Sequence, residues 1–422
     1  MTDDDRTGSD SGSDSDSFPR WLDEHWDPDL TLGDWWDRLG TAGWSTPTWP
    51  REWSGRGLRR AAAVQVVDEL RRRGLPGGPT GVGVDMAGPT ILARGDDEQR
   101  SRYLADIARG RTAWCQLFSE PGAGSDLAAL QTRAVRDGDH WRVSGQKVWS
   151  TLAHHADFGM LLARTDPGVP KHRGITWFVL DMHQPGVEVR PLRQMNGRAE
   201  FNEVFLDDVV TWDRDVVGEI NGGWATTLTT LGLERAASTR IAGVGEPGSA
   251  AGWRERRAGD FVHPRSAGEP PARRSRGSRL IPFAADRGCL DDLGVRQDLA
   301  RAYTANQITR YNALRQKAEA AAGKVPGPSP RKILAYGDAT FTANVGLRMQ
   351  GPHATLIDTD DAAADDITAL FLFAPSIAIA GGTNEILRNL LAEKTLGLPR
   401  EPDPERDAPF DATHPGPDQA EP

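Results

Sequence analysis

The most informative stretch of the sequence is "QLFSEPGAGSDLA", Gln116 to Ala128, which we call the glycine segment. It joins a strand to a loop in which Gly122 and Gly124 allow backbone N–H groups to approach a ligand closely. The hydroxyl of Ser125 adds a further donor, so the loop is suited to a phosphate group. The segment lacks the Gly-Lys-Ser/Thr ending of a Walker loop and the GxGxxG pattern of a Rossmann fold. It therefore predicts a ligand-binding loop outside these two nucleotide-binding folds.

A second stretch, "GQKVWST", Gly145 to Thr151, follows in the same region. Because side chains alternate along a strand, Trp149 and Thr151 are expected on one face. A broad aromatic surface beside a hydroxyl donor suits an isoalloxazine ring. Taken alone, stretches of these two kinds are more often a surface loop and a core tryptophan.

Both stretches lie in a region whose pattern is typical of β structure. Short runs of β-branched or aromatic residues are separated there by glycine, proline and aspartate. The runs are His140–Thr151, Phe158–Asp166, Gly174–Met182, Gly186–Met195 and Asn202–Thr211. They predict an antiparallel β-domain over residues 114–215.

Helical periodicity dominates on both sides of this region. Residues 19–113 predict an N-terminal helical domain, with Trp35, Trp36 and Trp44 in its core. Residues 216–400 predict a C-terminal helical bundle. The order of helices, sheet and helices indicates an α+β multidomain fold.

Three segments do not fit these domains. Residues 1–18 are acidic and serine-rich and predict a disordered leader, and residues 401–422 predict a flexible, charged tail. Residues 246–288 are dense in Arg, Gly, Ala and Pro without a sustained hydrophobic period. This segment is either a disordered surface insertion or a stretch of a GC-rich gene read out of frame.

Composition limits the possible functions of the 422-residue chain. A formal net charge of -10 argues against nucleic acid as a partner, because a phosphate-binding surface needs a basic stripe. Two cysteines, Cys115 and Cys289, are too few for a disulfide framework or a zinc site and favour a reducing cytoplasm. Neither a signal peptide nor an apolar run of about 18 residues is present, so no membrane span is expected.

Four motifs in this order resemble the acyl-CoA dehydrogenase family, over residues 20–400. They are "QLFSEPGAGSDLA", "GQKVWST", "FNEVFLDDV" and "GGTNEILRNLLAEKTLGLPRE". The family fold, with an N-terminal helical domain, a middle β-domain and a C-terminal helical bundle, agrees with the order predicted above. The resemblance implies noncovalent FAD, an acyl-CoA substrate, an electron-transfer flavoprotein as acceptor, and a role in fatty acid or sterol metabolism. It also implies a homodimer, a homotetramer, or a heteromer with a paralogous subunit.

The resemblance assigns residues to the flavin site. Ser125 is expected near the pyrophosphate, Trp149 over the ring and Thr151 near flavin N5. The complete set is Gln116, Phe118, Ser119, Gly124, Ser125, Trp149 and Thr151, with Gly382, Thr383 and Glu385 from the C-terminal side.

The expected chemistry is a desaturation next to a thioester. A base removes the α-proton while the β-hydrogen leaves as hydride to flavin N5, and donors stabilise the enolate-like oxygen. The base must be a carboxylate in a dry pocket, so that its pKa rises towards neutrality. Many relatives carry it directly before a Gly-Thr pair, but Gly381 stands there in this chain.

The family uses a second location for the base, on the first helix after the β-domain. Glu234 occupies it here, and its neighbours Leu228, Leu231 and Leu233 are expected to be buried. Arg235 is assigned to the substrate side without a specific contact. The backbone N–H of residue 381 remains as an oxyanion donor, and the missing side chain leaves room for a branched, cyclic or steroid-like acyl chain.

Two alternatives remain open at this point. One is a flavin monooxygenase or oxidase of the same fold, and the other is a non-catalytic partner subunit of a heteromeric dehydrogenase. The second gains weight from residues 246–288, because relatives carry there an arginine and an aromatic residue that reach the neighbouring subunit's FAD. A disrupted helix pair at this place would impair flavin binding or oligomerisation.

Overall fold

A computed structural model describes residues 17–237, 252–262, 276–322, 330–357 and 359–413. The chain divides into two compact units. Unit 1 comprises residues 1–193, 199–267 and 404–422, and unit 2 comprises residues 194–198 and 268–403. The chain therefore leaves unit 1 for unit 2 and returns to unit 1 afterwards.

The first part of unit 1 is helical. Its helices are α1 (Phe18–His25), α2 (Leu32–Thr41), α3 (Arg60–Arg73), α4 (Gly88–Arg94) and α5 (Asp97–Ala108), with a π-helical turn at Gly83–Ala87. Asp96 and Gln99 form a capping box that begins α5, and Gly74 ends α3 at a φ of 68°. The short elements α1 and α4 and the π-helical turn are too brief to show a helical period in the sequence.

Tryptophans form the core of these helices, as the sequence predicted. Trp35 and Trp36 are fully buried, and Trp44 is nearly so. The indole N–H groups of Trp35 and Trp36 donate to the carbonyls of Pro76 and Gly77 at 2.9 and 3.0 Å. The rings of Trp35 and Trp36 are therefore buried with their indole donors paired, whereas the buried Nε1 of Trp44 has no hydrogen-bond partner.

Seven strands form one sheet in the middle of unit 1. They are β1 (Trp114–Leu117), β2 (Arg133–Asp137), β3 (His140–Thr151), β4 (Phe158–Arg164), β5 (Ile175–Asp181), β6 (Val187–Leu192) and β7 (Phe201–Trp212). Their order is β1-β4-β2-β3-β7-β6, and β5 pairs with β4 outside this order. Four of the five predicted runs contain β3, β4, β5 and β6, and the fifth, Asn202–Thr211, lies within β7.

The prediction of an antiparallel domain requires one correction. Strand β1 pairs with β4 in parallel, from Trp114 opposite Phe158 to Leu117 opposite Leu161. The β2–β3 hairpin lies between these strands in the chain and supplies the long crossover that a parallel pair needs. The other main pairings are antiparallel, and β3 with β7 is the longest of them.

Part of the segment 246–288 is an integral part of unit 1. After helix α6 (Gly223–Ala237), residues 252–262 lie against α2, where the N–H groups of Leu32 and Gly33 donate to the carbonyls of Arg256 and Arg254 at 2.7 and 2.9 Å. Phe261 is buried in the tryptophan-rich core. The expectation of a surface insertion is wrong for these residues, while 246–251 and 263–275 lie outside the described residues.

The secondary-structure elements in the described part of unit 2 are all helical. Its helices are α7 (Leu280–Asp286), α8 (Leu293–Ala321), α9 (Arg331–Gln350), α10 (Ala362–Ile379) and α11 (Asn384–Lys394). Leu280, Phe283 and Ile367 are at the centre of its core. By length and composition alone α10 could cross a membrane, and it is the one such helix in the described part of the chain.

The predicted tail is partly packed. A short helix, α12 (Phe410–Thr413), buries Phe410 against unit 1, and the Phe410 N–H donates to the carbonyl of Val169 at 2.9 Å. The guanidinium of Arg164 lies 3.6 Å from the centre of the Phe410 ring. Residues 414–422 of the predicted tail and 1–16 of the predicted leader lie outside the described residues.

Candidate active site

Glu234 on α6 and Gln116 on β1 meet inside unit 1. The side-chain amide nitrogen of Gln116 lies 3.5 Å from Oε2 of Glu234, which is a long contact for a hydrogen bond. Both side chains are half-buried. Two residues predicted separately, one as the base and one for the flavin, are thus neighbours.

The position of Glu234 follows from the buried face of α6. Gly223, Thr227 and Thr230 are buried on this helix, and Glu234 follows Thr230 by four residues. Residues three and four apart lie on one side of a helix. Glu234 therefore continues the packed side of α6 by one turn, whereas Arg235 is exposed.

The expected leucine surroundings of Glu234 are wrong in one respect. Leu228 is 50% exposed, and Leu231 and Leu233 are half-buried. The buried face consists of threonines, whose hydroxyls donate to carbonyls of the same helix, as Thr227 does to Gly223 at 2.7 Å. This bonding satisfies the hydroxyls inside the protein, so threonine takes the place that leucine was expected to hold.

Helix α4 holds α6 through hydroxyl groups. Thr90 and Thr230 place their Oγ1 atoms 3.0 Å apart in a buried hydrogen bond, and Nε of Arg94 donates to Thr229 at 3.0 Å. The π-helical turn immediately precedes α4, and such turns are frequent at functional sites. The repeated threonines of "TTLTTLG" are the sequence signal for this packing. The helical spacing of the leucines instead predicted that the leucines form the buried side.

The tip of the glycine segment is open. Gly122, Gly124 and Ser125 are exposed. A Cβ atom added at Gly122 or Gly124 would meet no protein atom within 4 Å. The space along this backbone is therefore free for a ligand, and the Ser125 hydroxyl faces solvent beside it.

The base of the same segment is tightly bonded. Lys147 on β3 is completely buried, and its Nζ donates to the carbonyl of Phe118 at 3.1 Å and to Oε1 of Glu120 at 2.8 Å. Burial lowers the pKa of Lys147. Burial alone would raise the pKa of Glu120, but the Lys147 charge and the hydrogen bonds to the carboxylate outweigh it and lower that pKa. Ser119 is joined to β3 by its carbonyl, which accepts the N–H of Val148 at 2.9 Å.

Trp149 lies on β3, two residues after Lys147, and its ring is exposed. Its side chain is 60% exposed and its backbone has a φ of 64°, which is unusual for a bulky residue. Regular alternation would bury Trp149 together with Lys147, but a bulge between Lys147 and Ser150 interrupts the register. Bulges next to active sites commonly redirect a side chain in this way. Thr151, two residues later, is half-buried.

The C-terminal candidates form a turn in unit 2. Gly381 and Gly382 have φ values of 65° and 93°, which favour glycine. Thr383 begins α11 by accepting an N–H at its hydroxyl, and Glu385 is exposed in the first turn. Nζ of Lys332 donates to the carbonyl of Gly382. This lysine was not identified from the sequence, because it lies fifty residues away on α9.

The described residues contain no group of three or more His, Cys, Asp or Glu side chains arranged to hold a metal ion. The candidate residues supply a carboxylate, amides, hydroxyls and an exposed indole.

Comparison with known proteins gives consistent matches. Residues 18–111 match the family model described as acyl-CoA dehydrogenase, N-terminal domain, and residues 115–209 match its middle domain. The chain is 37% identical over 368 residues to acyl-CoA dehydrogenase IpdE1 of Mycobacterium tuberculosis, covering 87% of this chain and 88% of that protein. It is 38% identical to acyl-CoA dehydrogenase FadE34 of the same organism, covering 86% of this chain and 46% of that protein.

Solved structures agree with these matches. The structure named Tcur3481-Tcur3483 steroid ACAD has a TM-score of 0.69 and 27% identity, and the match covers 94% of this chain and 99% of that one. The ChsE4-ChsE5 complex from Mycobacterium tuberculosis has a TM-score of 0.65 at 24% identity, with 95% of this chain and all of the other covered. The second match supports the fold alone.

Proposed function

Because the chain belongs to the acyl-CoA dehydrogenase family, we propose that it dehydrogenates an acyl-CoA thioester with Glu234 as the base that removes the α-proton. The observation that carries the proposal is the 3.5 Å contact between Glu234 and Gln116, on the packed side of α6. It links a carboxylate to the glycine segment, which the family resemblance assigns to FAD. Bound FAD would accept the β-hydrogen as a hydride.

The proton step centres on the Glu234 carboxylate. The Gln116 amide nitrogen, 3.5 Å from Oε2, lies close enough to orient this carboxylate. The α-proton passes to the carboxylate, and the electrons of the broken C–H bond move into the thioester as an enolate-like system. In this proposal the backbone N–H of Gly381 donates to the thioester oxygen, where negative charge develops.

The residues of unit 1 fit a flavin nucleotide. The open tip at Gly122 and Gly124 leaves backbone N–H groups and the Ser125 hydroxyl available to a pyrophosphate. The exposed indole of Trp149 offers a flat surface to the ring, and Thr151 offers a hydroxyl. Gly382, Thr383 and Glu385 are proposed as further flavin contacts, on the basis of the family resemblance.

The proposed substrate carries a bulky acyl group, branched or built on a steroid ring. Gly381 has no side chain where many relatives carry a glutamate, which leaves more volume beside the thioester. One solved relative is named a steroid ACAD, which supports the same substrate class. We expect an electron-transfer flavoprotein to be the acceptor.

The proposed assembly is an oligomer in the cytoplasm. Helix α10 exposes Phe371, Phe373 and Ile379, and exposed apolar side chains of this number on one helix indicate contact with another surface. The steroid ACAD structure described above, at 27% identity, is named as a pair of proteins. The chain is accordingly proposed to pair with itself or with a paralogous subunit through unit 2, which also accounts for the apolar composition of α10 without a membrane.

A non-catalytic partner subunit is the second candidate function. The paired name of the steroid ACAD relative favours it, since one chain of a heteromer does not need a complete site. A chain of this kind would purify without colour and gain flavin only when co-expressed with a partner.

The test is to purify the protein and record flavin bleaching by a panel of acyl-CoA thioesters, including steroid-derived ones. Replacing Glu234 with glutamine should slow bleaching by about 100-fold or more, because a positioned general base contributes that much. Flavin content should stay unchanged. Glu219→Gln is the matched control, since Glu219 is an exposed glutamate just before α6.

Three outcomes would contradict the proposal in different ways. Bleaching of Glu234→Gln at the wild-type rate would exclude Glu234 as the base. A colourless protein that takes up flavin only with a partner would support the partner subunit. Indifference to acyl-CoA thioesters together with rapid reoxidation by O2 would indicate an oxidase or monooxygenase of the same fold.

A further inference from the structure

Three buried charged side chains surround the base of the glycine segment. Glu120, Lys147 and Arg164 are 8%, 0% and 3% exposed, and we call them the base clamp. Charged groups are seldom buried to this extent, and they stay buried only where other groups pair with them. The contacts of the base clamp therefore indicate what it holds.

Glu120 and Lys147 join the two ends of the loop. The Glu120 carboxylate accepts the backbone N–H groups of Gln131 and Thr132 at 2.6 and 2.9 Å, after the loop. Lys147 binds the same carboxylate and also the carbonyl of Phe118, before the loop. The Glu120–Lys147 ion pair thus connects the backbone on both sides of the loop, before Glu120 and at Gln131 and Thr132, to strand β3.

Arg164, at the end of β4, forms further hydrogen bonds to the C-terminal end of the loop. Its guanidinium donates to the carbonyl of Ala128 at 2.6 Å and to that of Leu130 at 3.2 Å. Burial lowers the pKa of Arg164 to about 10, so the side chain still carries its charge near neutral pH. The base of the loop is consequently held from two strands, β3 and β4, while the tip at Gly122 and Gly124 remains open.

An apolar residue would fill the volume of Lys147, but it would not bind a carbonyl and a carboxylate at once. Without the lysine, the Glu120 carboxylate would keep its two backbone donors and lose its nearest positive charge. A buried carboxylate left in this way tends to become protonated or to move towards water. Either response would change the path of the backbone from Phe118 to Ala123.

We propose that Lys147 is a positioning residue of the flavin site, which fixes Phe118 and Glu120 so that the open tip of the glycine segment presents its N–H groups to FAD. The inference rests on the proposed function, because it takes FAD as the ligand of this segment. Lys147 acts through the backbone of residues 118–132 and does not contact the cofactor.

The test is titration of apoprotein with FAD, followed by flavin fluorescence and visible absorption. Lys147→Met should raise the Kd for FAD at least about tenfold, as expected for loss of a charged hydrogen bond that organises a site. At saturating FAD the KM for acyl-CoA should change less than the Kd for FAD. Arg142→Met is the matched control, because Arg142 lies on the same strand as Lys147 and forms an exposed ion pair with Asp208 of β7. This variant should leave the Kd for FAD unchanged.

Glu120→Gln and the double variant complete the experiment. If the ion pair acts as a unit, Glu120→Gln should also weaken FAD binding, and the double variant should weaken it less than the sum of the single effects. Glu120→Gln also serves as the test if Lys147→Met does not fold. A lower melting temperature of the apoprotein with an unchanged Kd for FAD would show a purely structural role and overturn the inference.

The result for the wild-type protein separates the two proposals. A wild type that binds FAD, with variants that bind it equally well, would overturn the role of Lys147 alone. A wild type that binds no flavin in any assembly would overturn both the proposed function and this inference.

Discussion

Cys115 on β1 is completely buried, directly before Gln116. Burial raises the pKa of its thiol to about 12. The thiolate is the reactive form of cysteine, so a raised pKa makes the thiol inert at neutral and mildly alkaline pH. Cys289, the other of the two cysteines, is half-buried after α7.

Thiol labelling at mildly alkaline pH should therefore proceed in two phases. Cys289 should react with an aromatic disulfide reagent in the native protein, and Cys115 only after unfolding in denaturant. Cys289→Ser should abolish the native phase and Cys115→Ser should not. Equal rates for both thiols in native protein would mean that β1 opens to solvent.

Single residues of the site were predictable only where a motif identifies them. Gln116 and Glu234 were both selected from the sequence, but their contact was not foreseen, since it joins a strand to a distant helix. Leu228 was expected to be buried and is exposed, because the side of α6 that packs is decided by α4. Every second residue of a strand faces the same side, and Lys147 lies an even number of positions after the buried Trp141 and Val143 along β3. This alternation could have predicted that the Lys147 side chain is buried.

Among the elements, residues 252–262 give the clearest departure from the sequence interpretation. Their composition suggested a surface insertion, whereas Phe261 is buried among the helices of unit 1. Composition failed here because backbone hydrogen bonds to Leu32 and Gly33 fix the segment, and such bonds leave no trace in side-chain patterns.

Phe261→Ala should therefore destabilise the protein by about 3 kcal/mol, as for other buried phenylalanines. Chemical denaturation monitored by tryptophan fluorescence would measure the change, because tryptophans surround the site. Glu255→Ala, at an exposed position of the same segment, is the control and should have little effect. A stability equal to that of wild type for Phe261→Ala would show that the segment is detached in solution.

The strands were predicted well where their pattern is strong. β3, β4, β5 and β7 have apolar runs or alternation that predict a strand directly. β2 has one buried residue, Ala134, and was not identified. The parallel pairing of β1 with β4 was also missed, because a strand's own residues do not encode the direction of its partner.

At the scale of the whole molecule, the chain completes unit 1 with residues that follow unit 2. Phe410 covers the guanidinium of Arg164, a member of the base clamp. A cation over an aromatic ring in a desolvated place contributes about 2 kcal/mol, in addition to the buried area of the ring.

Phe410→Ala should lower the free energy of unfolding by about 3 kcal/mol and weaken FAD binding as well, since Arg164 would be exposed. Denaturant titration and FAD titration would measure the two effects. Asp411→Ala is the control, because its side chain is exposed and its backbone contact would be kept. An FAD affinity equal to that of wild type in Phe410→Ala would show that Phe410 does not support the base clamp.

The return of the chain to unit 1 has a consequence for synthesis on the ribosome. Domains generally fold as they emerge, beginning with the N-terminal part. The strands of unit 1 can pair early in translation. Arg164, however, cannot contact Phe410 until the residues between them, more than half of the chain, have been translated. Nascent chains should accordingly be able to form the sheet well before they can hold cofactor firmly, and flavin loading becomes one of the last steps of maturation.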